Sequence, residues 1–301
     1  MAKALPRRAI LIVNAKSRQG ADAFEEAREK LVSAGIDLID AKAVKDPKRI
    51  GAAIRQAVKR APMVIVGGGD GSLSSNIAHF MGTDTVFALL PLGTANSFAR
   101  TMGIPLDLDG AIGVIAGGEA RSIDLGKIGD QHFLNAAAMG LAPEVAKTVP
   151  HGLKRKLGRM GYLLWAGWSA ASFNAFRLQI DDGRRVRRLW ATEVRIANGR
   201  FHGGVELVES ADVESGRIVI QAVTGRSLAR LGWSYFASAL KLASRGEPLR
   251  EFRGPRFTLK TRPPMQVSID GELGPETPFT VEAIPDAVTI AAPKDNHDRS
   301  S

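Results

Sequence analysis

The sequence predicts two domains of different class: an N-terminal three-layer α/β domain, followed by an antiparallel, β-sandwich-like domain. In the first part of the chain, short apolar runs alternate with segments of helical periodicity, which is the pattern of a parallel sheet covered by helices. From about residue 123, strand-like runs follow one another, which is typical of an antiparallel sheet or sandwich. The chain of 301 residues is long enough for two hydrophobic cores.

The first domain is predicted over residues 1–122. Short apolar runs predict buried strands at residues 9–14, 36–41, 62–67 and 86–90. Helical patterns predict helices at residues 21–34, 47–60, 72–81 and 106–116. In the first of these helices, Phe24, Ala27, Leu31 and Ala34 form an apolar stripe at helical spacing, which predicts that this face packs on the sheet.

The second domain is predicted over residues 123–293. Its strand-like runs cover residues 121–128, 131–138, 176–181, 186–197, 217–223, 256–261, 265–270, 279–283 and 287–291. Asp182 and Gly183 lie between two of these runs and predict a tight hairpin turn. Helical patterns at residues 153–175 and 227–243 predict two inserts, and the polar residues 294–301 predict a disordered tail.

The composition is that of a globular protein with an excess of positive charge. The formal net charge is +10, which suits either nucleic acid or an anionic membrane surface, with a generally basic surface as the alternative. No nucleic-acid-binding module is recognisable, so we expect no nucleic-acid partner. The chain has no cysteine, which fits a reducing cytoplasm. The longest uncharged stretch, residues 160–176, falls short of a membrane-spanning helix.

A glycine-rich segment follows the third predicted strand and precedes a predicted helix. It consists of Gly67, Gly68, Gly69, Asp70, Gly71 and Ser72. Bare backbone N–H groups at such a turn suit a phosphate, because no Cβ blocks its approach and a helix N-terminus favours anions. The Asp70 carboxylate is placed to hold Mg²⁺ beside that phosphate. The segment indicates a nucleotide site, with a simple tight turn as the alternative.

A second polar segment follows the fourth predicted strand. Gly93 permits close approach, the Thr94 hydroxyl can donate to a phosphate, and Asn96 offers an amide. Because parallel strands place their carboxyl ends at one edge of a sheet, both segments are predicted to lie at the same ligand-binding edge.

With these two segments, the sequence resembles the diacylglycerol kinase catalytic domain family, in its bacterial soluble lipid-kinase branch. Residues 67–72 and 91–100 carry the main resemblance. Further motifs of the family occur in order at residues 14–17 with Gly20, 123–126, 133–135 with Gly140, 201–204 and 270–272.

The resemblance implies Mg²⁺–ATP-dependent phosphorylation of a lipid hydroxyl in a cleft between the two domains. The implied nucleotide-binding residues are Asn14, Ser17, Gly67, Gly68, Gly69, Asp70, Gly71, Ser72, Gly93, Thr94 and Asn96. The implied catalytic residues are Asp270 as the base, Glu272 as second choice and Asp70, while Asp70 and Asp124 are the candidate metal ligands. Without the resemblance, Asp270 and Gly271 read as a hairpin turn.

The sequence departs from the family pattern around this site. Ser74 and Ser75 stand where relatives carry Asn-Glu, and Ser97 replaces an aspartate. The loop that forms a structural Mg²⁺ site in relatives is expected to be degraded here at Asp212, Glu214 and Ser215. These departures leave open two alternatives: a soluble-substrate kinase of the same motif class, such as an NAD kinase, or a nucleotide- or lipid-binding module with weak or no catalysis.

The implied partners are a lipid substrate and an anionic membrane, with a peripheral location at the cytoplasmic face of the inner membrane; a homodimer stays open. One candidate membrane-contact cluster combines basic residues 154–156 and Arg159 with Tyr162, Trp165 and Trp168. A second consists of Arg184, Arg185, Arg187 and Arg188 beside Trp190.

Overall fold

The computed structural model describes residues 3–15, 18–140, 175–224 and 249–294. Several predicted features lie outside the described residues. They are Ser17, the first candidate membrane-contact cluster, nearly all of both predicted helical inserts and nearly all of the polar tail.

The N-terminal half alternates strands and helices, as the sequence predicts. Its elements are β1 (Lys3–Ala4), β2 (Arg8–Asn14), α1 (Arg18–Ser33), β3 (Asp37–Val44), α2 (Ile50–Ala57), β4 (Met63–Gly68), α3 (Asp70–Ser74), β5 (Val86–Pro91), α4 (Ser97–Thr101) and α5 (Leu108–Gly117). Two short 3-10 turns, Pro47–Arg49 and Ile77–Phe80, precede α2 and follow α3.

The first four long strands form a parallel sheet in the order β3-β2-β4-β5. Residues 9–13, 63–66 and 86–90 are all buried, because helices cover both faces of such a sheet. The register pairs Val13 with Gly67 and Gly67 with Leu90, so the three strands end side by side. This shared edge carries both polar segments.

The C-terminal half is antiparallel. Its strands are β6 (Glu119–Ile128), β7 (Gln131–Phe133), β8 (Ala136–Gly140), β9 (Phe176–Asp181), β10 (Val186–Ala197), β11 (Phe201–His202), β12 (Val205–Glu206), β13 (Ile218–Thr224), β14 (Leu249–Gly254), β15 (Arg256–Arg262), β16 (Gln266–Ile269), β17 (Glu272–Glu276) and β18 (Phe279–Ala292). They enclose a second core built around Phe176, Phe257, Val194, Ile220 and Val281. The predicted fold class, α/β followed by an antiparallel sandwich-like domain, is confirmed.

The last strand joins the two halves. The N-terminal part of β18 pairs with β15, and its C-terminal part pairs in parallel with β5 through Ile290 and Phe87. β6 pairs antiparallel with β18 along most of its length. Ile123, Val288 and Ile290 therefore belong to the core of the first sheet. The domain boundary near residue 122 stays a prediction, and the chain crosses back over it at its end.

Several elements differ from the sequence prediction. The helix predicted at residues 72–81 is α3 followed by a 3-10 turn, because the backbone leaves the helical region at Asn76, where φ is −125°. The strands predicted at 279–283 and 287–291 are one strand with an irregularity between Ile284 and Val288. The Asp182-Gly183 hairpin turn is confirmed, since β9 and β10 pair from Asp181 and Val186 onward.

In the described part of the chain, no helix combines the length and the apolar character that crossing a membrane requires.

Candidate active site

The two glycine-bearing segments touch each other at the edge of the parallel sheet. A Cβ built on Gly93 would lie 2.5 Å from the Cα of Gly69, which no side chain can accept without moving the backbone. A Cβ on Gly67 would lie 2.9 Å from a methyl group of Val13. Asn14, at the end of β2, donates from its amide to the Ser72 hydroxyl over 2.9 Å. The predicted nucleotide residues at the ends of β2, β4 and β5 are thus brought together.

Asp70 ties the first segment to the second. Its carboxylate oxygens accept from the backbone N–H groups of Ser97, at 3.0 Å, and Phe98, at 3.1 Å. These are the first two residues of α4, so Asp70 caps that helix from a distance in sequence of 27 residues. A role of Asp70 in metal binding or catalysis stays a prediction beside this observed role.

Asn96 shapes its own loop. It has a positive φ of 48°, a conformation that asparagine tolerates better than most residues. Its Oδ1 accepts from the Gly93 N–H, and its amide donates to the carbonyls of Pro91 and Gly93. Its predicted contribution to nucleotide binding would therefore act through the shape of the loop, whereas Thr94 is exposed and open to a ligand.

Asp270 occupies a two-residue hairpin turn between β16 and β17. Ile269 pairs with Glu272, and the two turn residues, Asp270 and Gly271, have φ values of 44° and 92°. This geometry is that of a type I′ hairpin turn, for which Asp-Gly is a preferred sequence. The turn and the catalytic interpretations of Asp270 are therefore compatible, because the turn fixes the direction of the carboxylate.

The Asp270 carboxylate is held by four donors. Oδ1 accepts from the N–H groups of Asn135 and Ala136, and Oδ2 accepts from the Leu134 N–H and the Ser74 hydroxyl. Burial raises the pKa of Asp270 above its ordinary value, while the hydrogen bonds from Ser74, Ala136 and Leu134 act in the opposite direction. A raised pKa suits a group that must accept a proton. The sequence marks residues 133–135 as a family motif but does not indicate that backbone N–H groups 134–136 bind Asp270.

The two serines that depart from the family pattern face the Asp-Gly-Glu turn. Ser74 donates to Asp270, and the Ser75 hydroxyl lies 3.4 Å from Glu272, whose side chain is exposed. A second contact joins the halves where the Gly204 N–H donates to the Ser97 hydroxyl over 3.0 Å. The candidate site therefore lies at the junction of the two halves, with Asp270 on one side. On the other side lie the two glycine-bearing segments, residues 67–72 and 93–96, which we call the phosphate loops after their predicted role.

Family models cover nearly all of the chain. Residues 8–128 match the model of the diacylglycerol kinase catalytic domain, and residues 136–292 match that of the YegS C-terminal NAD kinase beta sandwich-like domain. This chain belongs to the family in which a diacylglycerol kinase catalytic domain is followed by a YegS C-terminal domain.

Individual relatives of this family member are distant. A "Probable lipid kinase YegS-like" of Chromohalobacter salexigens is 28% identical, with 77% of this chain and 76% of that protein covered. A "Diacylglycerol kinase" of Staphylococcus haemolyticus is 28% identical, with 77% and 72% covered. The chain spans about half the length, 55%, of an uncharacterized Synechocystis protein that it matches at 28% identity. A crystal structure of a diacylglycerol kinase from Bacillus anthracis shares the fold, with a TM-score of 0.76, 24% identity and coverage of 95% of this chain and 97% of that one.

The phosphate loops of this family member carry features that suit an ATP phosphate tail. α3 begins at this edge of the sheet, and the first N–H groups of a helix have no intrahelical acceptor. The first two N–H groups of α4 at the same edge already donate to Asp70. Gly71 is exposed, with open space where a Cβ would stand. Mg²⁺ is commonly held by one or two carboxylates together with substrate phosphates, and Asp70 is the predicted carboxylate here. Because both of its oxygens already accept backbone N–H groups, a metal role for Asp70 stays a prediction.

Asp124 lies against the loop at residues 212–216, where the sequence predicts a degraded metal site, and backbone N–H groups bind its carboxylate. Asp124 accepts from the backbone N–H groups of Gly216, at 2.5 Å, and Asp286, at 3.1 Å. Asp212 accepts from the N–H of Glu214, and Ser215 donates to the carbonyl of Asp212. Within the ranges that the structure describes, no three His, Cys, Asp or Glu side chains converge as a metal site. The residues at Asp124 do not fit a dedicated structural metal.

Proposed function

We propose that this protein is an ATP-dependent lipid kinase that transfers the γ-phosphoryl group of ATP to a lipid hydroxyl, as a diacylglycerol kinase does. Membership of the family and the names of the relatives support phosphoryl transfer. The observation that carries the proposal is the contact between Ser74, which follows the phosphate loop, and Asp270, which comes from the other half of the chain.

In this proposal the phosphate loops position the nucleotide, and catalysis comes from positioning and charge neutralisation. When bound with ATP, Mg²⁺ supplies charge neutralisation at the phosphates. Asp70 keeps the second loop in place against the first. The glycines at positions 69 and 93 keep the loops close enough to share one phosphate tail.

Asp270 is the proposed base. Three of its four donors are backbone N–H groups with fixed directions, and only the Ser74 hydroxyl can rotate. When Ser74 turns away, Oδ2 can take the proton of the attacking lipid hydroxyl, whose oxygen then forms the bond to phosphorus while the bond to the ADP oxygen breaks. Glu272 is exposed two residues away and is the second candidate for this role.

The test compares Asp270→Asn with Glu272→Gln, using radiolabelled ATP and mixed micelles of diacylglycerol. We expect Asp270→Asn to lower kcat by about 10²–10⁴-fold with ATP affinity unchanged, because general-base catalysis contributes about that much. Glu272→Gln should cost clearly less. If Glu272→Gln carries the larger loss, Glu272 is the base. If Asp270→Ala leaves lipid phosphorylation unchanged, Asp270 is not the base and the proposed mechanism fails. A natural chain that binds ATP but phosphorylates no lipid would instead favour a binding module.

A soluble-substrate kinase is the second candidate, because the C-terminal model that the chain matches is described as NAD kinase beta sandwich-like. The same assay with NAD in place of micelles separates the two. The lipid kinase proposal expects phosphorylated lipid and no phosphorylated NAD. Turnover with NAD alone would overturn it.

We further propose a peripheral location on the cytoplasmic face of the inner membrane. A lipid substrate lies in a bilayer, and the net charge of +10 favours an anionic surface. Fractionation of cell extracts tests this: the protein should sediment with membranes and be released by salt rather than only by detergent.

A further inference from the structure

One outward sheet face in the second half is strongly basic. β9, β10 and β15 are neighbours, and in each strand alternate residues point away from the core. On β9 the outward residues include Arg177 and Gln179. The register places Trp190 and Arg262 on either side of Arg177, and Arg188 and Lys260 on either side of Gln179. Two adjacent cross-strand rows therefore carry four cations and no carboxylate.

Among the residues that the structure describes, these four cations have no acidic partner. No ion pair involves Arg177, Arg188, Lys260 or Arg262 within the described residues. Arg188 donates from Nε to the amide oxygen of Gln179, a neutral acceptor, over 3.3 Å. Each of the four residues is exposed. Like charges on neighbouring strands repel, so this arrangement costs stability unless a partner compensates it.

Arg187 and Arg188 belong to the basic cluster that precedes Trp190 in the sequence. They point to opposite faces of β10, because successive residues of a strand alternate in direction. Arg187 pairs with Asp182 at 2.7 Å and stacks on Phe252 at 5.4 Å. Only Arg188 of the cluster belongs to the outward rows. The basic face is completed by Arg177, Lys260 and Arg262, which are distant in sequence and which the sequence did not group with it.

A groove of about 490 Å³ lies along this face, lined by the four cations, Gln179 and Trp190 among others. The Arg177 guanidinium lies 5.2 Å from the centre of the Trp190 ring, and the tryptophan is 37% exposed. Exposed tryptophan beside arginine and lysine suits the interface of a bilayer, where the ring meets the headgroup level and the cations meet lipid phosphates.

We propose that the outward face of β9, β10 and β15 docks on anionic phospholipid headgroups and holds the protein on the bilayer that contains its substrate. This proposal rests on the proposed lipid kinase function for its purpose, and on charge complementarity for its occupant. A second copy of the same face would oppose four cations with four cations, which disfavours a symmetric dimer here. A single tryptophan, already stacked by Arg177, is poor support for single-stranded nucleic acid, which uses series of open aromatic platforms.

The test is co-sedimentation with vesicles of phosphatidylcholine containing about one quarter phosphatidylglycerol, at about 0.1 M salt. The variant Arg177→Gln, Arg188→Gln, Lys260→Gln, Arg262→Gln should bind about a hundredfold more weakly than the natural chain. The control Lys45→Gln, Lys48→Gln, Arg55→Gln, Lys59→Gln removes the same charge from exposed sites of the N-terminal half and should change binding by about threefold or less. A third variant, Arg177→Lys, Arg188→Lys, Arg262→Lys, keeps the charge and should keep binding.

Circular dichroism of each variant confirms that it is folded, and vesicle binding does not require turnover. Failure of the lipid kinase proposal would therefore leave this measurement intact. Retention of vesicle binding by the glutamine variant, or equal loss in the control, would overturn the docking proposal. So would tighter binding of the natural chain to single-stranded RNA than to vesicles, or a dimer that only the glutamine variant disrupts.

Discussion

Ser74 is the residue through which the nucleotide half of the site touches the proposed base. Its hydroxyl donates to Asp270 Oδ2 and thereby lowers the pKa of Asp270, against the larger effect of burial that raises it. Ser75, the next residue, donates to the carbonyl of Gly71 and lies at the limit of hydrogen bonding from Glu272. Ser74 therefore contacts Asp270 directly, whereas Ser75 contacts Gly71 and Glu272, so substitutions of these two neighbouring serines can be compared.

We predict that Ser74→Ala moves the acid limb of the pH–rate profile to higher pH. A base works in its deprotonated form, so the rate falls as the pH drops through the pKa of Asp270. Removing the Ser74 hydrogen bond removes an influence that lowers this pKa, and the fall then begins at higher pH. The measurement is kcat/KM for lipid phosphorylation across the acid range, with Ser75→Ala as the control. An acid limb that stays in place in Ser74→Ala, or moves equally in both variants, would contradict the assignment.

For single residues, the sequence identified candidate site residues better than it identified the residues with which they form hydrogen bonds. The Asp-Gly-Glu motif identified Asp270, but its spacing from Ser74 is 196 residues, and no local rule could place the two together. Residues 133–135 are recognisable as a family motif, but they bind Asp270 through backbone N–H groups, and no side chain indicates that contact. The sequence predicts that the Asn96 amide faces the ligand, whereas its three hydrogen bonds remain inside its loop.

The contact between the two phosphate loops is a property of elements rather than of single residues. Gly69 ends the turn after β4, and Gly93 follows β5 in the adjacent strand position. Their backbones approach so closely that a methyl group on Gly93 would overlap the Gly69 Cα. This contact brings the starts of α3 and α4 together, and Asp70 then completes the link.

We predict that Gly93→Ala destabilises the protein by about 1–3 kcal/mol, the usual cost of forcing extra volume into a packed site. ATP affinity should fall with it, because the loops must separate. Gly113→Ala is the control: Gly113 is exposed within α5, and a Cβ there meets nothing within 4 Å. That substitution should leave ATP affinity unchanged and stabilise the helix by up to about 1 kcal/mol. Urea unfolding and nucleotide titration measure both effects. Equal ATP affinity in the two variants would contradict the role of the loop contact.

Elements that rest on local patterns were predictable, and those that rest on pairing were not. The buried strands β2, β4 and β5 are continuous apolar runs and could be identified without a structure. β14 and β17 are mostly exposed and rich in charged or small residues, and only their pairing with β13 and β16 makes them strands. The predicted helix after the phosphate loop stops early, because Asn76 departs from helical φ.

The last strand, β18, connects the two halves of the molecule. β18 runs from the second core into the first sheet, and Asp124 binds the chain near its irregularity. The Asp124 carboxylate thereby joins three distant stretches: β6, the loop at residues 212–216 and Asp286, which is 162 residues away. The sequence identified Asp124 by resemblance to a family that holds a metal here. It could not reveal that backbone donors occupy both oxygens, since that depends on how the whole chain closes.

We predict that the stability of the nucleotide-free protein does not depend on Mg²⁺. Both oxygens of Asp124 already accept backbone N–H groups, so an ion would have to compete with these hydrogen bonds. The unfolding temperature should be the same in EDTA and in Mg²⁺.

Asp124→Asn should lower the free energy of unfolding by about 1.5–3 kcal/mol, because it replaces one charged acceptor with a donor facing an N–H group. Asp212→Asn, on an exposed loop, is the control and should cost less. If EDTA lowers the unfolding temperature of the natural chain but not of Asp124→Asn, then Asp124 is a metal ligand and the backbone hydrogen bonds are not what closes the fold.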